Sequence, residues 1–244
     1  MRTLLLLCLA STAWAGAPSV FEGTLGDTDA GPEISTSELR RALVDPATIV
    51  LDARPPEEYG VSHIPGARSV AGKPGARASL YVPDVNDAMR LVPDRARPIV
   101  LYCNGLHCGR SKRFAAELAK AGYTQVRRYQ LGIPGWRALG GVTQVERDAL
   151  VALLARDATA VLVDARPAPA RPVLARAQLI PLAETAQAKD DGRLPMTDHN
   201  TRIFVVGADG AQARAVAEAI VRDAFHNVAF FDGAAAELVE LLPR

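Results

Sequence analysis

The chain has 244 residues, 49% of them hydrophobic, which is enough to bury one large core or two ordinary ones. Its 28 lysines and arginines nearly balance its 27 aspartates and glutamates, so the composition gives no sign of nucleic acid or an acidic membrane as a partner. The chain has only three cysteines, which excludes a small scaffold held together by many disulfides.

The first residues are typical of a secretory signal. Arg2 precedes a short apolar stretch at 4–10, and Ala13-Trp14-Ala15 provides the small-x-small pattern of a cleavage site. We therefore expect residues 1–15 to be a signal peptide and the protein to be exported, to the periplasm or beyond the cell; a buried N-terminal helix is the alternative. No later segment approaches the roughly 18 uninterrupted apolar residues of a membrane span, so we expect no membrane embedding. Residues 16–32, rich in Gly, Asp and Pro, predict a flexible lead-in.

The rest of the chain consists of two halves with similar sequence patterns. The stretches 34–70 and 142–182 each open with a capping-box pattern, Ser35-x-x-Glu38 and Thr143-x-x-Glu146. Each then enters a short β-branched run that ends in Asp-Ala-Arg-Pro, at 52–55 and at 164–167. This duplication predicts two domains, and we expect the boundary near Gly140-Gly141.

The later parts of the two halves also correspond. The stretches "RPIVLYCNG" and "TRIFVVGADG" are both buried-strand patterns followed by a loop and an amphipathic helix. Short apolar runs that alternate with helices predict an α/β fold with a parallel sheet in each half. In this alignment Gly207 stands where the first half has Cys103, so the second half has no thiol at that point.

The stretch "LYCNGLHCGR", residues 101–110, is the strongest chemical signal in the sequence. A strand ending at Tyr102 and a helix starting near Arg110 or Ser111 would leave 103–109 as a tight turn at a helix N-terminus. Backbone N–H groups converge on such a point and favour an anion. The helix dipole and the cations Arg110, Lys112 and Arg113 could lower a cysteine pKa there from ~8.5 to roughly 3.5–7.5.

Two further stretches carry a family resemblance. "LDARPPEEYGVSHIPGARSV" and the segment Gly132-Ile-Pro-Gly-Trp136 that follows the cysteine loop resemble the rhodanese family of sulfurtransferase-like domains. The resemblance is dense over 33–140 and only an outline over 141–244, which implies tandem domains with a degenerate second copy. It implies two parallel sheets flanked by helices. It also implies a cysteine that takes sulfane sulfur from a donor such as thiosulfate, holds it as a persulfide and passes it to a thiol or cyanide.

The resemblance assigns roles within the loop. It makes Cys103 the nucleophile and Arg110 the group that stabilises the thiolate or the bound anion, with Cys108 a possible resolving thiol. The expected substrate-binding residues are Asn104, Gly105, Leu106, His107, Gly109 and Ser111. We expect no cofactor, no metal and no nucleic acid; the implied partners are a small sulfur-containing anion and a thiol acceptor, and any protein partner stays open.

The loop departs from the common family pattern, in which four residues separate the cysteine from an Arg or Lys. Six residues separate Cys103 from Arg110, and this longer form resembles a two-cysteine subset with Leu106 in the place of a proline. One alternative is therefore a non-catalytic binding or redox-sensing module with a Cys103–Cys108 disulfide. A phosphatase or arsenate reductase is a lesser alternative, because it needs a Cys-x5-Arg loop.

The remaining prominent residues are interpreted as structural. Asp52 and Arg54 are expected to tie a strand end to neighbouring loops. His63 is expected to be structural rather than a general base. His63 and His107 could suggest zinc with the two cysteines, but Cys-x4-Cys with a histidine directly beside Cys108 is poor ligand spacing. Trp136 is expected to anchor packing, at or near the rim of the site.

Overall fold

The structure is a computed structural model that describes residues 27–28, 31–77, 80–167, 174 and 176–242. The predicted signal peptide and most of the predicted lead-in lie outside the described residues. The described end of the lead-in forms a short antiparallel pair, β1 (Asp27–Thr28) and β2 (Gly31–Pro32). No helix among the described residues is long and apolar enough to cross a membrane.

The first half alternates strands and helices around a four-stranded parallel sheet of order β4-β3-β5-β6. Its elements are α1 (Thr36–Val44), β3 (Ile49–Asp52), α2 (Pro56–Val61), β4 (Arg68–Ser69), α3 (Val85–Leu91), β5 (Ile99–Tyr102), α4 (Gly109–Lys120), β6 (Val126–Tyr129) and α5 (Gly132–Ala138). Helix α1 begins at the predicted capping box: the Ser35 hydroxyl accepts from the Glu38 amide, and the Glu38 carboxylate accepts from the Ser35 amide.

The second half forms a five-stranded parallel sheet of order β7-β11-β10-β8-β9. Its elements are β7 (Thr143–Val145), α6 (Arg147–Arg156), β8 (Val161–Asp164), β9 (Gln178–Leu179), α7 (Gln187–Asp190), β10 (Ile203–Gly207), α8 (Gly210–Val221) and β11 (Val228–Ala234), with 3₁₀ turns at Leu182–Glu184 and Ala235–Leu238. The prediction of an α/β fold with two parallel sheets flanked by helices is confirmed.

Both faces of each sheet are buried, which is why the central strands are apolar throughout rather than alternating. In β3, for example, Ile49 and Leu51 pack into the core on one face of the sheet, and Val50 packs into the core on the other. Helices cover both faces, so ligands are expected to reach the strands at the sheet edges and ends.

The second predicted capping box is wrong. Thr143 is the first residue of β7, where its buried hydroxyl donates to the Val228 carbonyl at 3.1 Å. Helix α6 begins three residues later than the pattern indicated, with Glu146 as the N-cap and no side-chain cap bond. A β-branched threonine packs well on a sheet, and pairing with β11 outweighs its capping preference.

The ends of the two sheets repeat one geometry. Asp52 of β3 pairs in register with Tyr102 of β5, and Asp164 of β8 pairs in register with Val206 of β10. Cys103 follows Tyr102, and Gly207 follows Val206. Gly207 therefore occupies the position in the second half that Cys103 occupies in the first.

The two halves touch through backbone hydrogen bonds. The amide of His63 donates to the Gln144 carbonyl at 2.9 Å, and the Gln144 amide returns a bond of 2.8 Å to the His63 carbonyl. The Glu146 amide also donates to the Gly60 carbonyl at 2.8 Å. The first sheet ends before Gly140-Gly141 and the second begins after it; a domain boundary at that point stays a prediction.

Candidate active site around Cys103

Cys103 lies directly after β5, a central strand flanked by β3 and β6. The carboxyl ends of parallel strands meet at one edge of the sheet, which is where α/β proteins bind their ligands. The cysteine itself is only 2% exposed. Its position therefore combines a fixed backbone with a largely dry environment.

The loop that follows is short and closed by its own hydrogen bonds. Helix α4 begins at Gly109 with Cys108 as its N-cap, one or two residues earlier than predicted. Ser111 is thus the third helical residue, buried, and does not cap the helix. The Cys108 amide donates to the Gly105 carbonyl at 2.9 Å, and Gly105 has a φ of 103°, a left-handed conformation that favours glycine.

The two cysteines form a disulfide, with Cα atoms 6.2 Å apart. Cys103 is buried and Cys108 is half-buried, so the solvent side of the bridge is Cys108. The redox-module alternative predicts this disulfide. A resolving thiol at Cys108 would also produce it. The nucleophile and resolving roles of the two residues stay predictions.

The start of α5 supports the loop from below. The Ile133 amide donates to the Cys103 carbonyl at 3.2 Å. Gly132 has a φ of 58°, and any Cβ at this residue would overlap the Cys103 carbonyl oxygen. A glycine is therefore required here for the close approach of two backbones. This contact explains why the Gly-Ile-Pro-Gly-Trp segment accompanies the cysteine loop.

An acidic side chain lies against the loop. Glu58 of α2 accepts a hydrogen bond from the Asn104 amide group at 2.5 Å, and its other oxygen lies 3.8 Å from Arg110. The predicted cation is therefore present, but it shares its charge with a carboxylate. Lys112 and Arg113, the fourth and fifth residues of α4, are exposed.

Our sequence interpretation did not assign Glu58 to the site. The signal was available in the topology: α2 follows β3, the loop follows β5, and these strands are neighbours. Segments that leave adjacent parallel strands at their carboxyl ends are brought together, so an acid at the start of α2 reaches the cysteine loop.

The other predicted loop residues form its outer rim. Leu106 is 55% exposed, an unusual position for a large apolar side chain. Asn104, His107 and Gly109 are also exposed, and Gly105 is half-buried. These residues could contact a substrate that approaches from solvent, whereas Ser111 lies beneath the surface.

A buried ion pair holds the end of β3 beside the loop. Arg54 makes a bidentate pair with Asp52, with Nη2 to Oδ2 at 2.5 Å, and Nη2 also donates to the Ser62 carbonyl at 2.6 Å. The Tyr102 hydroxyl accepts from the Ile64 amide at 3.1 Å, and burial raises the pKa of Tyr102 well above its usual range. These contacts fit the expected tie between strand end and loops.

His63 and Trp136 also lie where a structural role requires. The His63 ring stacks on Tyr59 with centroids 3.8 Å apart, its Nδ1 lies 3.0 Å from the Tyr59 carbonyl, and burial lowers its pKa to about 4. Its Nε2 lies 3.8 Å from Glu146 Oε1, so the contacts of both ring nitrogens are with residues outside the cysteine loop. Trp136 is buried and donates from Nε1 to the Val142 carbonyl at 2.7 Å, which anchors the segment between the two halves.

Part of the chain is similar to known proteins. Residues 35–139 match the family model of the rhodanese-like domain. A tRNA uridine(34) hydroxylase from Staphylococcus carnosus is 33% identical over 105 residues, which are 42% of this chain and 30% of that protein. The chain thus spans less than a third of the length of that curated relative.

The similarity to solved structures is weaker. A thiosulfate sulfurtransferase from Pseudomonas aeruginosa is 22% identical, with 84% of this chain and 41% of that chain covered and a TM-score of 0.35. A 3-mercaptopyruvate sulfotransferase from Escherichia coli is 18% identical, with 82% and 97% covered and a TM-score of 0.34.

Proposed function

We propose that this chain, whose residues 35–139 form a rhodanese-like domain, is a sulfurtransferase that carries sulfane sulfur on Cys103. One observation carries the proposal: Cys103 lies at the end of a central parallel strand, one short loop before the N-terminus of α4, with Arg110 in the first turn. The first N–H groups of a helix have no partner inside the helix, so they can stabilise a thiolate or a terminal persulfide.

The first step is reduction of the Cys103–Cys108 disulfide, because a bridged cysteine cannot attack a donor. An external thiolate would attack the more exposed sulfur of Cys108, form a mixed disulfide there and release Cys103 as the thiolate. A second thiolate would then free Cys108. The attack is directed at Cys108 because Cys103 is buried. Cys103 leaves because the helix N-terminus stabilises its thiolate.

The transfer itself is a pair of displacements at sulfur. The Cys103 thiolate attacks the sulfane sulfur of a donor such as thiosulfate, the sulfur–sulfur bond of the donor breaks, and sulfite leaves. An acceptor thiolate or cyanide then attacks the outer persulfide sulfur and regenerates the Cys103 thiolate. Each step conserves charge and needs no redox partner after the disulfide has been reduced.

Cys108 can also react with the persulfide on Cys103. Its thiolate can attack the inner sulfur of the Cys103 persulfide, release hydrosulfide and restore the disulfide seen in the structure. A scarce acceptor would therefore return the enzyme to the bridged resting form. This role makes Cys108 a resolving thiol.

We also propose that the protein is exported and that its second half is a degenerate copy of the first. The signal-like pattern of residues 1–15 supports export. The repeated Asp–Arg geometry at Asp52–Arg54 and Asp164–Arg166, with Gly207 in the position of Cys103, supports duplication. A half without a thiol at this point cannot form a persulfide there.

A redox-sensing or binding module is the second candidate, and the disulfide is the observation that favours it. In that function the bridge would switch with the redox state of the compartment, and no sulfur would be transferred. A phosphatase-like function has less support, because six residues rather than five separate Cys103 from Arg110, and Arg110 lies beside Glu58.

Turnover measurements separate these candidates. After full reduction and removal of the reductant, the wild type and Cys108→Ser are expected to convert thiosulfate and cyanide to thiocyanate and sulfite, and Cys103→Ser is expected to be inactive. Turnover by Cys103→Ser would overturn the assignment of the nucleophile. A wild type that cycles reversibly between dithiol and disulfide but takes no sulfur from thiosulfate or an organic persulfide would instead support the redox module.

A further inference from the structure

A cavity of about 310 Å³ lies between the two halves. Helix α5 contributes one wall, and the segments that precede β10 and β11 contribute the other. The lining residues are Pro134, Arg137, Ala138, Asn200, His226 and Asn227. The volume is at the small end of the range of ligand sites, and none of these lining residues is acidic.

Arg137 is the unusual residue in this cavity. Its Nε is buried and has no hydrogen-bond partner, and no carboxylate among the described residues lies within ion-pair distance of its guanidinium. The two charged groups that act on it, Arg54 and Arg202, are both cations and have their own carboxylate partners, Asp52 and Asp157. Burial and these two arginines together lower the pKa of Arg137 to about 10.

A cation in this situation lacks the partner that buried charges normally have. Removing a charge from water costs several kcal/mol on general grounds unless an opposite charge and good hydrogen bonds compensate. Buried polar atoms without partners are rare in native proteins, and an ion or ligand is one of the standard explanations. The half-buried Arg137, with its unsatisfied Nε, would therefore be best compensated by an anion.

The rest of the cavity suits an oxyanion. The side-chain amides of Asn200 and Asn227 and the imidazole of His226 can donate hydrogen bonds. The Asn227 amide makes only a long bond of 3.4 Å, to the Asn200 carbonyl. An arginine fork matches two oxygens of a carboxylate, sulfonate or phosphate, and amide groups can bind a third.

We propose that this cavity is a binding site for a small oxyanion, with Arg137 as its charged ligand group and Asn227 as a second donor. The occupant joins the two halves, because Arg137 is on α5 of the first half and Asn227 directly precedes β11 of the second. The site goes beyond sulfur transfer at Cys103 and does not depend on it. Its connection to the cysteine loop runs through α5: Pro134, which lines the cavity, lies beside Gly105, and the neighbouring Ile133 amide donates to the Cys103 carbonyl.

Ligand-dependent thermal unfolding tests the site without any activity measurement. The full chain is titrated with phosphate, sulfate, acetate or pyruvate at constant ionic strength against potassium chloride. The proteins compared are the wild type, Arg137→Met and Arg41→Met, the last being an exposed arginine on α1. A bound ligand stabilises the folded state by mass action, so at a hundredfold excess over Kd the wild-type Tm is expected to rise by roughly 5 °C or more.

The expected result is a saturable rise in Tm for the wild type and Arg41→Met, with at least a tenfold weaker apparent Kd in Arg137→Met. Without ligand, Arg137→Met is expected to be as stable as the wild type or more stable, because it removes a half-buried cation that has no carboxylate partner among the described residues. Saturation with phosphate or sulfate would identify an inorganic oxyanion, and saturation with acetate or pyruvate an organic carboxylate. Both results support the site.

Two outcomes would overturn the proposal. One is a Tm that does not saturate with any of the four anions. The other is the same saturable shift in the wild type and Arg137→Met, since kosmotropic anions stabilise most proteins without a site. If Arg137→Met does not fold, Asn227→Leu replaces it: unchanged affinity in that variant would equally contradict the site.

Discussion

Glu58 is expected to oppose the binding of anionic sulfur donors, and Glu58→Gln is the variant that exposes this effect. The carboxylate lies 3.8 Å from Arg110, the cation that an anionic donor would use. Glutamine keeps an oxygen that can accept the hydrogen bond from Asn104, so the loop is expected to keep its shape while the negative charge is lost.

The magnitude follows from the distance and the exposure. Two unit charges about 4 Å apart interact by roughly 1 kcal/mol in bulk water and about 4 kcal/mol near a protein surface. The Glu58 side chain is 37% exposed, so solvent screens it and the lower part of that range applies. A change of about 1–2 kcal/mol corresponds to roughly a 5- to 30-fold change in an equilibrium constant. We therefore expect the KM for thiosulfate to fall by about that factor.

The assay is the initial rate of thiocyanate formation by freshly reduced protein over a range of thiosulfate concentrations. A neutral organic persulfide donor, measured in parallel, should respond little to the substitution. The matched control is Glu57→Gln, which removes the same charge from the adjacent, exposed residue. The KM effect should also shrink at high salt. The reasoning is refuted if Glu58→Gln leaves the KM for thiosulfate unchanged or if Glu57→Gln lowers it equally.

Three further predictions concern the loop and its supports. Cys108→Ser should be active without prior reduction and should release no hydrosulfide from a loaded Cys103, which a sulfide electrode can check; hydrosulfide release at the wild-type rate would exclude the resolving role. Arg54→Met should lower the free energy of unfolding by about 3–5 kcal/mol, since it leaves Asp52 buried and unpaired; a loss below ~1 kcal/mol in urea titrations would contradict this. The folded pKa of His63 is about 4, below its ordinary 6.5, so between these values the unfolded chain binds a proton that the folded chain does not. Stability should therefore be complete above pH 6.5 and fall by up to about 3 kcal/mol toward pH 4, and His63→Gln should lose that slope; an unchanged slope in the variant would show that other groups cause it.

The strands and the position of the cysteine loop could be predicted because local pattern and tertiary structure agree there. The β-branched runs before Asp52 and Asp164 are apolar on both faces, and only a sheet covered on both faces buries such runs. Once the sheets are parallel, the loop after β5 must lie at the carboxyl edge. The order of the strands then determines its neighbours.

The errors and omissions arose where distant residues decide the outcome. Thr143 and Glu146 have the spacing of a capping box, but Thr143 pairs with Ala229 of β11 and therefore belongs to the sheet. Glu58 reaches the loop only because α2 packs beside it. The spacing of Cys103 and Cys108 permits both a free thiol and a bridge, and the turn at Gly105 determines whether the two sulfurs meet.

The cavity around Arg137 could not be predicted from the sequence for the same reason. Its walls come from α5 and from segments more than sixty residues later in the chain. An arginine on a short helix is usually solvated or paired, and only the packed structure shows that Arg137 is neither fully exposed nor paired with a described carboxylate. Burial of a charge is a property of the assembled molecule.

Intact-mass analysis after exposure to thiosulfate tests the central claim most directly. The reduced wild type and Cys108→Ser are expected to gain one sulfur atom on the peptide that contains Cys103, and to lose it on addition of cyanide. Cys103→Ser is expected to gain none. A sulfur atom found on Cys108 alone, or none on the fully reduced wild type, would contradict the persulfide at Cys103.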